Sequence, residues 1–266
     1  MSSSPDIHVR FEHVTKRFGS TVALDGVDLS IRRGGVHAIV GENGAGKSTL
    51  GKLLLGVHRP DGGAIVVDGA AVDYHSPRQA LADGLIGISQ ETALAPSLRA
   101  VDAVFLAREH ARAGFVRSAE QMTEFAALAA QVRFRPSART AVRALSPADR
   151  KRLELMRAIL RGAGLIVMDE PTAALTAQDT ELLFDRVRAL VAQGVTIIYI
   201  SHFLDEVRML ADQITVLRNG RLVRTSPASD ETNASLVEGM LGRSLSTTFP
   251  EIPRPAPDAL LIEAPA

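Results

Sequence analysis

The consecutive residues Gly41-Glu42-Asn43-Gly44-Ala45-Gly46-Lys47-Ser48, with Thr49 directly after them, have the types and spacing that hold polyphosphate. Glycines at 41, 44 and 46 let the backbone take unusual dihedrals and bring its N–H groups close to phosphate oxygens, and the positive end of a following helix adds to them. Lys47 supplies a point charge for the terminal phosphates, Ser48 a hydroxyl for Mg2+ and Thr49 a further phosphate donor. Read alone, this loop serves a kinase, a GTPase or a motor equally well.

A second group of residues bears on what is done to the phosphate. Asp169-Glu170 closes an apolar run, where the aspartate can hold Mg2+ through water and the glutamate can polarise an attacking water. His202 ends the next apolar run, within reach of the γ-phosphate side of the same crevice, and Gln90 ends another, as an amide ligand for Mg2+ or the lytic water. Phe18, upstream of the loop, offers a flat face for an adenine ring, with loop or core filling as the equal alternative.

Elements must bring these residues together. Residues 36–40 read as a buried strand and 52–55 as the helix after the loop, the strand, glycine loop, helix order of a nucleotide site. Short strands are expected at 7–11 and 27–31 with Phe18-Gly19-Ser20 as a turn between them, and more at 64–67, 85–89, 165–168, 195–200 and 214–217. Ser76-Pro77 opens a short capped helix over 78–82, 176–192 is a helix burying Leu183, Val187, Leu190 and Val191, and Leu204, Val207 and Leu210 mark another before the Asn219-Gly220 hairpin turn. Between about 98 and 160 the character turns helical. There Ser118-Ala119-Glu120-Gln121 reads as a capping box, and Met122, Phe125, Leu128, Ala129 and Val132 recur at helical spacing as a core stripe. The pattern is α/β, a sheet domain with an inserted helical subdomain, and the strand ends carrying Gln90, Asp169 and His202 would share the usual ligand edge of an open parallel sheet.

Composition narrows the class. At 266 residues, 46% hydrophobic and 23% charged, the chain has enough apolar surface for a full core. Its formal net charge of zero gives no electrostatic footprint for nucleic acid, and the absence of cysteine excludes disulfides and thiol-bound metals. No apolar run approaches the ~18 residues of a membrane span, and the start lacks a basic then apolar leader, so a cytoplasmic protein that reaches a membrane only through a partner is expected.

Taken in order, these motifs resemble the ATP-binding cassette ATPases, and within them the sugar-importer type. The resemblance runs from Val9 to Arg243. It rests on the phosphate loop, Ser89-Gln90-Glu91, Leu145-Ser146 before a helix, Met168-Asp169-Glu170-Pro171-Thr172 and Tyr199-Ile200-Ser201-His202, with Ser76-Pro77-Arg78 and Val216-Leu217-Arg218-Asn219-Gly220-Arg221 resembling the carbohydrate subgroup. It implies a P-loop NTPase fold with a mixed sheet, a small N-terminal antiparallel β region and the helical subdomain, over residues 7–245. The implied activity is ATP hydrolysis that powers import of a simple sugar. By this resemblance Phe18 stacks on adenine, Lys47 and Ser48 serve phosphate and Mg2+, Asp169 serves Mg2+, Glu170 is the general base and His202 senses the γ-phosphate. ATP would be sandwiched in a head-to-tail dimer, the loop of one cassette facing the signature segment Leu145-Ser146-Pro147-Ala148-Asp149 of a second copy or a separate half. An integral membrane permease and, indirectly, a solute-binding protein complete the implied partners, with the chain on the inner face of the membrane.

Three positions depart from the family pattern. Pro147 and Asp149 stand among small residues and glutamine of the usual signature, removing a donor and placing a negative charge where a partner's γ-phosphate would approach, and Ala173 stands where serine is common. An ATP-dependent regulatory or docking cassette with weak hydrolysis, or a cassette ATPase outside transport, is the alternative. The prolines at 250, 253, 255 and 257 make 246–266 a linker, and Leu260 to Glu263 resembles the first strand of a second cassette, so an N-terminal half of a tandem protein is expected.

Overall fold

The computed structural model describes residues 6–89, 94–112 and 115–242. The expectations placed on Gln90 and on residues 246–266 lie outside these. In chain order the elements are β1 (Ile7–Phe18), β2 (Thr21–Arg32), β3 (Val36–Val40), α1 (Lys47–Leu54), β4 (Gly62–Val67), β5 (Ala70–Val72), α2 (Pro77–Ala82), β6 (Leu85–Ile88), α3 (Ala100–Phe105), β7 (Ala111–Arg112), β8 (Phe115–Val116) and α4 (Ser118–Val132). There follow α5 (Pro147–Leu160), β9 (Leu165–Asp169), α6 (Ala177–Val191), β10 (Thr196–Ile200), α7 (Leu204–Leu210), β11 (Gln213–Arg218), β12 (Arg221–Pro227) and α8 (Asn233–Leu241).

The unbroken apolar runs become the inner strands of a six-stranded sheet in the order β12-β11-β3-β10-β9-β6. All neighbours are parallel except the β11–β12 hairpin at one edge, so the sheet is mixed. Strands buried on both faces read as continuous hydrophobic sequence rather than as alternation. One face packs Ala38, Met168, Tyr199 and Val216 toward α5, α6 and α7. The other packs Ile39, Val167 and Ile200 against Leu50, Leu53 and Leu54 of α1 and against the four-stranded antiparallel sheet β2-β1-β4-β5.

Three local expectations are corrected. The first two strands are 12 residues each, longer than 7–11 and 27–31, and they pair across register shifts around Val14 and Lys16. These bulges break the two-residue period that would reveal the strands in sequence. The Ser118 capping box does not form: α4 begins after Arg117 with no side-chain cap, and Gln121, not Met122, joins Phe125, Leu128 and Val132 on the buried face. Met122 is 39% exposed, because spacings of four, three and four residues select the face one position earlier. Ser76 makes no capping bond either; Gln79 reaches back to the His75 N–H at 2.6 Å.

Candidate nucleotide site

Strand register sets the site. Ile200 pairs with both Ile39 and Asp169, and Met168 pairs with Ile88. The ends of β3, β10, β9 and β6 therefore stop at one level, and the chain leaving each delivers the glycine loop, His202, Asp169-Glu170 and Ser89 to the same edge.

The loop is held from three sides. A Cβ on Gly41 would strike the carbonyl of Leu217, and one on Gly46, at φ 102°, would come 2.5 Å from the Ala23 carbonyl of β2. The Asn219-Gly220 turn donates from its glycine N–H to the Ala45 carbonyl at 3.1 Å, while Gly220 itself accepts from Asp25 at 2.8 Å. Backbone packed this closely leaves room for glycine only. At the start of α1 no side chain caps the helix and no acidic residue lies in its first turn, so its leading amides carry positive character available to an anion.

Lys47 is buried and donates to the carbonyls of Gly41 at 2.8 Å and Glu42 at 2.9 Å. Burial pulls its pKa below the usual lysine value, and the carboxylates of Glu170 and Asp169 oppose that pull. The hydroxyl of Ser48 donates to Asp169 Oδ1 at 3.1 Å, joining α1 to the end of β9. Burial raises the Asp169 pKa, against the bond from Ser48. A cation placed beside Ser48 and Asp169 would relieve the cost of keeping that carboxylate charged. No group of three or more His, Cys, Asp or Glu that could hold a metal occurs among the described residues. One hydroxyl and one carboxylate fit an ion that takes its other ligands from water and phosphate, the habit of Mg2+.

Glu170 sits at φ 45°, an uncommon conformation for a residue with a side chain. Its N–H donates to the Ile200 carbonyl at 2.8 Å, and its Oε1 accepts from His202 Nδ1 at 2.9 Å. A carboxylate only accepts, so this contact places a proton on Nδ1 and leaves Nε2 for another partner. The exposed remainder of the loop is Glu42, Asn43 and Gly44, while Ala45 is buried and Thr49 half-buried. Phe18 is 44% exposed at the end of β1, its ring edge-on to His58 at 5.1 Å. A cavity of about 390 Å3 opens beside Ser48 and Asp169 between α1, α2 and β6, with mostly aliphatic walls and Arg157 among its lining residues.

The signature segment lies at the start of α5, and its helix is intact. Ser146 caps it, accepting from the Asp149 N–H at 3.1 Å and donating to Asp149 Oδ2 at 2.8 Å, with Pro147 in the first turn where no N–H is required. Asp149 is also not a bare charge. Arg152, which sequence reasoning passed over, donates to Asp149 Oδ1 at 2.7 Å and to Asp179 Oδ1 at 3.0 Å. Its only signal in sequence is an Asp to Arg spacing of three on one helix face.

A glycine loop at a helix start, a strand-end aspartate bound to the loop serine, and a parallel sheet that carries both define a P-loop nucleotide-binding protein. The profile of the ABC transporter family matches residues 24–173, and the chain belongs to that family of ATP-binding proteins. It is 42% identical to ribose import ATP-binding protein RbsA 3 of Rubrobacter xylanophilus over 91% of its length and 49% of the relative. It is 40% identical to a putative ribose/galactose/methyl galactoside import ATP-binding protein of Burkholderia cenocepacia over 96% of its length and 50% of the relative. The chain thus spans about half the length of these relatives. Among solved structures, an ATP-binding cassette of an ABC transporter in its ADP conformation superposes with a TM-score of 0.76 at 26% identity, over 89% of this chain and 99% of that one.

Proposed function

We propose that this chain is an ATP-hydrolysing subunit that powers import of a simple sugar through a membrane permease. The observation that carries the reading is the convergence at one sheet edge of the Ser48–Asp169 bond and the Glu170–His202 pair. Lys47 and the amides at the start of α1 would bind the phosphates, and Ser48 and Asp169 would hold Mg2+, which when bound neutralises charge growing on the transferred phosphoryl group. Glu170 is the base for the attacking water, with His202 fixing its carboxylate. The sugar-import names of the relatives support the cargo class, and their doubled length supports pairing with a second cassette, as a copy of this chain or a separate half. Among the described residues no helix is long and apolar enough to cross a membrane, which fits a subunit docked on a permease at the inner face and served indirectly by a solute-binding protein.

The test is Mg-ATP hydrolysis across a range of protein concentrations, with Glu170→Gln alongside. The variant should bind ATP normally and turn over at least ~100-fold more slowly, the usual contribution of a general base. Near-normal turnover removes Glu170 from that role, and ATP binding without turnover of the parent at any concentration favours a docking cassette instead.

A further inference from the structure

The pair formed by Glu170 and His202 stands on two loops, one after β9 and one after β10, and each loop continues into a segment that meets the same carboxylate. Two residues past Glu170, the Thr172 hydroxyl donates to Glu206 Oε2 at 2.7 Å. From inside β10 the Tyr199 hydroxyl donates to the same oxygen, also at 2.7 Å. Glu206 lies four residues past His202, in the first turn of α7.

The partners of this oxygen are well fixed. Tyr199 is fully buried and Thr172 is 5% exposed. The Tyr199 ring packs edge-on against Phe184 of α6 at 6.2 Å. The start of α7 has no side-chain cap of its own. Its other polar ties run to the α8 region, from Asn233 Nδ2 to Asp205 and from Arg208 to the Glu231 carbonyl, and to α6, from Arg188 to the Met209 carbonyl. Val207 and Leu210 bury α7 against the core, and Glu206 adds the hydrogen bond that ties it to the loop that carries Glu170.

We infer that Glu206 is a positioning residue for ATP hydrolysis: by gathering Thr172 and Tyr199 on one carboxylate oxygen, it fixes His202 against Glu170. This rests on the hydrolytic reading above. A shared acceptor ties the loop after β9 to the helix after β10, whereas the His202–Glu170 contact alone is a single hydrogen bond between two side chains. Misplacing a reacting group by about 1 Å costs as much as ~100-fold in rate.

The test has one readout that does not depend on turnover. Ring nitrogen chemical shifts of the histidines are recorded for the parent, Glu206→Ala, Glu206→Gln and Glu170→Gln, with His202→Ala used to assign the His202 signal. Glu206→Ala should move the His202 Nδ1 signal in the same direction as Glu170→Gln. Glu206→Gln, which keeps an acceptor oxygen for both hydroxyls, should leave it in place. In parallel, Glu206→Ala should lower kcat by roughly tenfold with KM for ATP unchanged within about twofold, the mark of an interaction that matters in the transition state. Glu206→Gln should recover most of that loss. An unmoved His202 signal in Glu206→Ala overturns the inference, and so does a moved signal with unchanged kcat. If the parent does not hydrolyse ATP at all, the hydrolytic reading fails, and the shifts still decide whether Glu206 holds His202 in place. A melting curve for each variant separates these results from a folding defect, and Thr172→Val, which removes one hydroxyl and keeps the Tyr199 to Glu206 bond, repeats the test with less disturbance.

Discussion

Gly46 carries two separate constraints that its neighbour Gly44 carries only in part. Both have positive φ, 102° and 83°, but a Cβ on Gly46 would meet the Ala23 carbonyl at 2.5 Å and Leu24 Cδ2 at 2.7 Å, whereas one on Gly44 meets nothing within 4 Å. Backbone strain of this kind costs about 1–3 kcal/mol per residue. Gly44→Ala should lose stability in that range, and Gly46→Ala should lose more and also lose ATP binding, because β2 cannot retreat without releasing the loop. Urea unfolding of both variants, with nucleotide titration, checks the order; equal losses would mean that the Ala23 contact yields easily. Glu170 is the opposite case, a bulky residue kept at φ 45°. Its N–H bond to Ile200 and its side-chain bond to His202 hold it there.

At the scale of elements, Arg152 joins two helix starts. Ser146 and Asp149 form one cap and Thr176 and Asp179 form another, each with the N–H of the aspartate bonded to the hydroxyl before it. Arg152 on α5 spans the two carboxylates, so α5 and the start of α6 move together. Arg152→Met would leave two carboxylates facing each other across partly covered space. The expected loss is about 1–2 kcal/mol, between that of an exposed pair and a buried one. Adding Asp149→Asn should return part of that loss, which urea unfolding of the single and double variants reads directly; strictly additive losses would refute the bridge. This bridge shows what kind of information the sequence carries. The loop residues, Asp169, Glu170 and His202 stand out because they interrupt or end apolar runs, and buried parallel strands announce themselves as such runs. Arg152 does not stand out, because its second partner is 27 residues away on another helix. The bulged β1–β2 hairpin and the true face of α4 were hidden for a related reason: where bulges or a one-residue shift of phase intervene, simple periodicity points to the wrong residues.

Across the whole molecule, acid should act on the same strand that delivers the phosphate loop. His37 lies inside β3, 3% exposed, with Nε2 on the Thr215 hydroxyl at 2.7 Å, which in turn meets Thr225, and with Nδ1 lacking a partner among the described residues. Burial, aided by Arg32, lowers its pKa from 6.5 to about 4. His8 at the start of β1, bonded to Thr196 at 2.7 Å, is lowered to about 4 as well, chiefly by burial. Between these values the unfolded chain binds protons that the folded chain refuses, so stability rises with pH through this window and is lost as pH falls from about 6.5 toward 4. Glu231 extends the loss further down, because Arg224, Ser226 and Ser235 pull it from 4.5 to about 2. A single buried histidine accounts for about 2 kcal/mol between pH 7 and pH 5. His37→Leu keeps the volume apolar and leaves Thr215 bonded to Thr225, so it should remove about half of the dependence of unfolding free energy on pH above about 5, leaving the His8 share there and the Glu231 limb below it. Unfolding in urea at pH 7, 6 and 5 measures the slope. If parent and variant fall in parallel, His37 takes up its proton without opening β3, and the acid limb must come from His8 alone.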